Sequence, residues 1–174
     1  GYTLEEAGRN VQASLVTLHA QALQFMASCL IYLFGGVYGK ERIGADKAFE
    51  QIEGWIMERG VKKSMAYDYL ATARKACKRM LELHKLGGIN GEVIASATAS
   101  DAQSALLRHW EQGGVTSYNS LKLFLSLSAE YTDEQRQADA DAAAKGETAS
   151  GKRAIKSART KKRDESAIQH IGDR

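Results

Sequence analysis

Apolar positions near the start of the chain recur at alternating spacings of four and three, which is the pattern of a helical seam. Thr3 and Glu6 form a capping box at its start. Gly35 and Gly36 are expected to end this single long helix at Phe34. Its second half is apolar nearly all round, as in a helix that is central to a domain or shared with another subunit. We predict a homo-oligomer whose interface comprises Val11, Leu15, Leu18, Ala22, Phe25 and Tyr32.

Two amphipathic segments follow, over about residues 46–86, and a glycine and one apolar residue separate them. The first is expected to begin at Asp46 as N-cap and to end at Gly60. Its apolar face comprises Phe49, Ile52, Trp55 and Ile56. The second is predicted to run from about Lys63 to Leu86. Its apolar face comprises Ala66, Tyr69, Leu70, Ala73, Cys77, Met80 and Leu81.

Small residues and glycines divide the next part of the chain. Residues 89–99 are predicted to be a connector of small residues, with a short extended piece as the alternative. A second capping box, Ser100–Gln103, predicts a helix that begins there. Thr116 or Ser117 is expected to cap one more helix. These two helices are predicted to form a second hairpin at about residues 100–130.

The character of the chain changes after Tyr131. Residues 132–174 hold few large apolar side chains, so burial cannot offset the entropy cost of ordering them. Upstream, the chain lacks runs of alternating β-branched or aromatic residues, and it contains no proline, against about 5% in average proteins. The sequence therefore predicts an all-α fold, with a helical domain over residues 1–131 and a flexible polar tail over 132–174.

Basic residues concentrate in two segments of a chain whose formal net charge is +3. Residues 62–79 contain six basic residues and one acidic residue. Residues 152–163 contain seven basic residues and no acidic residue. Two separate cationic segments are typical of a protein that binds a polyanion. The second segment is a candidate basic arm comprising Lys152, Arg153, Lys156, Arg159, Lys161, Lys162 and Arg163.

Cysteine usage and hydropathy give an expected compartment. Cys29 and Cys77 lie in apolar helical patterns without a CxxC partner, so we predict buried thiols in a reducing compartment. The apolar stretch 22–34 is shorter than the ~20 residues needed to cross a membrane. The acidic start of the chain lacks the basic segment of a signal peptide. We therefore expect a cytoplasmic or virion-associated protein with no membrane contact.

Three residues between the two amphipathic segments match the needs of a particular turn. Gly60 suits a left-handed turn, Val61 suits an apolar plug, and Ala66 suits a small position where two helices meet. Over about residues 49–72 the chain resembles the helix-turn-helix DNA-binding proteins of bacteria and phage. Ile56 stands where that family favours a small residue, so a more open crossing or a plain helical hairpin is the alternative.

The resemblance implies that the second helix lies in the major groove of double-stranded DNA. Lys62 and Lys63 would then bind phosphates or guanine edges, and Tyr67 a phosphate or a thymine methyl group. Asp68 would accept a hydrogen bond from a cytosine amino group or orient a nearby lysine. The basic arm would add non-specific affinity. The candidate DNA-binding residues are Lys62, Lys63, Ser64, Tyr67, Asp68, Arg74, Lys75, Lys78 and Arg79.

Motifs that carry catalytic or metal chemistry are absent from the sequence. The four histidines are widely spaced and form no HExxH or Cys/His ligand pattern. We therefore predict no enzymatic activity, no metal and no cofactor.

The favoured function is a transcription or replication regulator of a bacterium, phage or plasmid. The alternatives are an oligomeric structural or assembly protein, such as a phage DNA-packaging adaptor or virion component, and a protein-binding inhibitor.

Overall fold

The computed structural model describes residues 1–84, 89–127 and the single residue 138. This part of the chain contains seven helices and no strand, and 78% of it is helical. The predicted all-α fold is therefore confirmed. The helices are α1 (Leu4–Leu15), α2 (Ala22–Tyr38), α3 (Ala45–Glu58), α4 (Lys63–His84), α5 (Ile89–Ala95), α6 (Ala99–Gln112) and α7 (Tyr118–Leu127).

Helix α2 is the centre of the described fold, and each of the other six helices packs against it. Every residue from Phe25 to Gly36 is buried. A helix that is apolar on all sides is stable in water only when other elements cover it all round. Among the described residues, no helix combines the length and the hydropathy that a membrane crossing requires.

The predicted single N-terminal helix is wrong, because the chain turns between α1 and α2. The amide of Val16 bonds to the carbonyl of Ala13 at 3.2 Å, and that of Leu18 to Leu15 at 3.4 Å. These bonds span three residues instead of four, so the helix tightens and ends there. The side chain of Val16 is 64% exposed. The turn allows the apolar stripe of α1 to pack on α2 of the same chain.

The predicted oligomer interface is part of the core of a single chain. Ala22 is half-buried and packs against that core. The other five residues each expose at most 6% of their surface: Val11, Leu15, Leu18, Phe25 and Tyr32. Side chains covered to this degree have no surface left for a partner. The interface prediction is therefore wrong, because the seam closes on itself across the turn between α1 and α2.

The glycine pair that was expected to end the long helix lies inside α2, which continues to Tyr38. A Cβ atom on Gly35 would come within 2.9 Å of the ring of Tyr2. A Cβ atom on Gly36 would come within 3.1 Å of the Cβ of Ala48 in α3. These two residues are therefore small because neighbouring parts of the chain approach closely, and the predicted helix end is wrong.

Helix boundaries after α4 follow the prediction in part. Residues 89–99 contain the short helix α5, where the sequence indicated only a connector. Thr98, rather than Ser100, caps α6, because its hydroxyl accepts a hydrogen bond from the amide of Asp101 at 3.1 Å. Ser117 caps α7, as predicted. Local propensity thus located α6, α7 and the cap of α7, but it missed α5 and the cap of α6.

Both cysteines are buried free thiols, as predicted. Burial raises the pKa of Cys77 to about 11, and it also raises the pKa of Cys29. The thiolate is the reactive form of cysteine. These side chains therefore serve the packing of α2 and α4.

Candidate nucleic-acid interface

The turn between α3 and α4 is built on Gly60, whose φ is +76°. This value confirms the predicted left-handed conformation, which only glycine adopts without steric cost. The amide of Gly60 donates to the carbonyl of Met57 at 3.0 Å. Val61 is half-buried against the core, and Ala66 is fully buried. The turn and the first turns of α4 are therefore fixed by packing.

Helix α4 has a buried face and an exposed face. The predicted inner residues Ala66, Tyr69, Leu70, Ala73, Cys77 and Met80 are all buried. At 1.5 Å per residue, the exposed face extends over about 22 Å between Lys63 and Lys78. The charged and polar residues of this exposed face, together with Lys62 just before the helix, are named the cationic face. They are Lys62, Lys63, Ser64, Tyr67, Asp68, Arg74, Lys75 and Lys78.

Arg79 does not belong to the cationic face, and its predicted contact with the DNA backbone is wrong. Only 5% of the residue is exposed. Its guanidinium carbon lies 5.4 Å from the ring centroid of Phe124 in α7. The helical period places Arg79 on the side of the buried residues Thr72 and Ala76, which α7 and the core cover. Its charge alone suggested exposure, while its helical position determines burial.

Arg74 lies at the edge of the cationic face that adjoins α3. Its guanidinium carbon is 4.2 Å from the ring centroid of Phe49, which is a cation–π contact. Phe49 and Arg74 lie about 16 Å and about 21 Å along their helices from Gly60. A contact so far from the turn means that α4 folds back alongside α3 at an acute angle. The outer side of α4 is therefore exposed along several turns.

Asp68 joins the cationic face to α7 through a small polar cluster. Its carboxylate accepts from the Tyr118 hydroxyl at 2.7 Å and from the Lys122 ammonium at 3.1 Å and 3.3 Å. The Tyr118 hydroxyl has one hydrogen, which it donates to Asp68. Thr72, whose hydroxyl lies 2.9 Å away, must therefore donate to the Tyr118 oxygen. This chain of hydrogen bonds fixes α7 against α4.

The charge of Asp68 is stabilised by this cluster. Burial acts to raise the pKa of its carboxyl, but the hydrogen bonds from Tyr118 and Lys122 outweigh it, with help from the charges of Lys122 and Lys75. The pKa of Asp68 is therefore lower than its ordinary value. The carboxylate stays ionised, and its charge is compensated by the lysine beside it.

Acid is expected to weaken the junction of α4 and α7. Because the folded pKa of Asp68 is lowered, its stabilising contribution is complete above the ordinary carboxyl pKa of about 4 and is lost as the pH falls through the lower folded value. Asp68→Asn should remove this part of the pH dependence, which is less than about 1 kcal/mol because the pair is half exposed. Chemical denaturation below pH 6 measures it, with Glu50→Gln as control. Equal pH dependence in Asp68→Asn and wild type would contradict the assignment.

The lysines of the cationic face lack acidic partners. Within residues 1–84 and 89–127, no acidic side chain lies within ion-pair distance of Lys62, Lys63, Lys75 or Lys78. Elsewhere among the described residues, Arg9 contacts Glu5 and Arg108 contacts Glu92. Asp68 is the one acidic residue between positions 62 and 79, and Lys122 already compensates it. The face therefore carries a net positive charge that is open to solvent.

Tyr118 and Lys122 belong to this region although no motif in the sequence marks them. Lys122 stands between two leucines in α7 and is 54 positions from Asp68. No periodicity within α7 indicates which helix lies beside it. The pairing depends on both helices packing on α2, which is a property of the tertiary fold.

Other predicted features of the site are outside these helices. The basic arm, at residues 152–163, lies outside the described residues. Within the described residues, no group of three or more His, Cys, Asp or Glu side chains could hold a metal ion.

No protein-family model, curated protein or solved structure matches this chain. An interpretation of the cationic face therefore depends on the chemistry of its own residues.

Proposed function

We propose that the protein binds double-stranded DNA through the cationic face of α4. The observation that carries this proposal is the unpaired positive charge along one exposed side of a helix whose other side is buried. DNA phosphates are the polyanion that such a surface attracts, and each lysine or arginine that neutralises a phosphate releases a condensed counterion. The left-handed turn at Gly60 is shared with helix-turn-helix regulators, whereas the acute crossing of α3 and α4 is that of a helical hairpin. The proposed role as a transcription or replication regulator is therefore supported by the turn and by the charge of α4, not by the crossing.

Repulsion within the cationic face supports a polyanionic partner. Arg74 and Lys78 are four residues apart on one helix, where like charges destabilise by about 0.2–0.5 kcal/mol per pair. Arg74 has a partner in the ring of Phe49, but Lys78 has no ion-pair partner among the described residues. Bound phosphates would remove the repulsion between the two charges. Tyr67, which is 56% exposed, adds an apolar surface among the charges. A ring in this position can contact a thymine methyl group or the sugar–phosphate backbone.

The shape of the exposed region also fits a duplex. About 22 Å of helix between Lys63 and Lys78 corresponds to the rise of some six base pairs. The exposed residues between Lys63 and Lys78 all lie on one side of α4, as a helix lying in a major groove requires. The basic arm would then add contacts that do not depend on sequence.

An oligomeric assembly protein was the main alternative, and it depended on a shared apolar seam. Because that seam is the core of one chain, an assembly would have to use another surface. The observations on the described residues favour DNA binding over this alternative. Within the described part of the chain, the large apolar side chains that are exposed are those of Val16, Met57 and Tyr67.

Removing two lysines from the cationic face is expected to lower the salt dependence of DNA binding. In Lys75→Ala/Lys78→Ala, the slope of log K against log salt concentration should fall in magnitude by about two, because two phosphate contacts are lost. The measurement is binding of the full chain to random duplex DNA across a salt series. Arg9→Ala/Arg108→Ala, which removes the same charge from other helices, is the control and should leave the slope unchanged.

The basic arm needs its own variant in the same experiment. Replacing its seven basic residues by glutamine in the full chain should reduce affinity but leave the effect of Lys75→Ala/Lys78→Ala intact. If the slope responds only to the arm variant, α4 is not the contact surface. If the wild-type chain binds no duplex at low salt, DNA binding itself is wrong.

A further inference from the structure

We propose that the DNA-binding surface continues from α4 onto α7, where Lys122 binds a phosphate and Asp68 holds it in position. This inference rests on the proposed function, and it assigns a role to a residue outside α4. It also replaces one of the two predicted roles of Asp68. The residue would act by positioning a lysine, not by contacting a base.

The position of Lys122 is fixed by two contacts. Its ammonium nitrogen lies 3.1 Å and 3.3 Å from the two oxygens of Asp68. The same nitrogen lies 5.4 Å from the ring centroid of Tyr118. A free lysine side chain loses rotamer entropy when it is ordered. Lys122 has already lost part of this freedom in the absence of DNA, so it is pre-organised for a phosphate.

Lys122 still has donors available for a phosphate. An ammonium group has three N–H donors, and the carboxylate of Asp68 occupies one side of it. The side chain of Lys122 is 43% exposed and that of Asp68 is 46% exposed. The pair is therefore accessible to solvent, and its two contacts with Asp68 leave at least one N–H donor of the ammonium for a phosphate. A phosphate oxygen at that position would complete its hydrogen bonding.

Asp68 is poorly suited to reading a cytosine. Its carboxylate offers about four acceptor positions, and the contacts from Tyr118 and Lys122 already use three of them. Breaking the Tyr118 contact would also disturb the hydrogen bond between Tyr118 and Thr72. These bonds and the charge of Lys75 keep the carboxylate ionised beside Lys122. The cluster therefore holds a lysine in place and masks the one negative charge on the cationic face.

The ligand of this surface is a phosphodiester backbone that runs across two helices. Lys75 is close enough to act on the charge of Asp68 from the α4 side, and Lys122 contacts Asp68 from the α7 side. A strand whose phosphates bind Lys75 and Lys122 would therefore pass over the masked carboxylate and contact both helices. An isolated phosphate ion would not need the second helix.

The test compares Lys122→Ala with Arg108→Ala in the full chain. Arg108 also pairs with an acidic residue on another helix, Glu92 at 3.5 Å, but lies on α6. Lys122→Ala is expected to lower the salt slope by about 0.9 and the affinity for random duplex DNA about eight-fold at 0.1 M salt. Arg108→Ala should change neither, and Lys122→Arg should restore the slope. Thermal melting of each variant, followed in parallel, shows whether the fold is equally stable.

The role of Asp68 is tested by a double-mutant cycle. Lys122→Ala should cost less affinity in an Asp68→Asn background, because no negative charge is then unmasked and no lysine is positioned. Additive effects of the two substitutions would overturn the positioning role. A salt slope for Lys122→Ala that matches Arg108→Ala would overturn the two-helix surface. If Lys75→Ala/Lys78→Ala still lowers the slope in that case, the proposed function stands without this inference; if it does not, both are wrong.

Discussion

Replacing Phe25 by alanine is expected to lower the free energy of unfolding by about 3–5 kcal/mol. The residue is 1% exposed at the start of the buried part of α2. Its ring meets the ring of Tyr69 in α4 edge to face, with centroids 5.9 Å apart. The substitution removes this contact and leaves a cavity between the central helix and the helix that carries the cationic face. Urea denaturation followed by circular dichroism measures the loss.

Protein concentration distinguishes this core position from the interface that the sequence predicted. In a single-chain core, the loss caused by Phe25→Ala is the same at all protein concentrations. In a seam between subunits, the stability of the wild type rises with concentration. Val16→Ala, at a side chain that is 64% exposed, is the control and should change stability by less than about 0.5 kcal/mol. A midpoint that depends on concentration would contradict the single-chain core.

Replacing Gly36 by leucine is expected to destabilise the fold by about 2–3 kcal/mol, because α2 and α3 touch at this position. Even a Cβ atom there would lie 3.1 Å from the Cβ of Ala48 and 3.4 Å from the side chain of Ile43. The larger side chain must push α3 away from the central helix. The free energy of unfolding, measured as for Phe25→Ala, reports the effect.

Gly54 provides a matched control for this substitution. It lies in the middle of α3, is exposed, and has no atom within 4 Å of a Cβ built on it. Gly54→Leu should therefore stabilise the protein by about 0.5–1 kcal/mol, since leucine is the better helix former. If Gly36→Leu is also neutral or stabilising, the close approach of α2 and α3 is wrong.

Features that depend on one helix and its neighbouring residues were predictable from the sequence. The apolar face of α4 is buried as its period indicated, and Gly60 adopts the left-handed conformation that its place after α3 required. Ser117 caps α7 as predicted. Periodicity and capping chemistry are local, and the pattern of side chains along the chain contains them in full.

Features that depend on which helices touch were not predictable. The turn after Leu15 carries no glycine or proline, and it forms because α1 gains more by packing on α2 than by continuing into it. Gly35 and Gly36 follow the rule for helix ends, yet close packing explains them better. Arg79 is buried by α7, and Lys122 is brought to Asp68 by the same helix. Each of these outcomes requires the arrangement of helices around α2.

The central position of α2 also has a consequence for protein engineering. Because α3 and α4 each pack on α2, a fragment with only these two helices would expose the apolar residues that α2 covers. The candidate interface is therefore not a transplantable module: grafting it onto another scaffold would require a substitute for the whole buried helix. Changes to its specificity have to be made at its exposed side chains, within the intact domain.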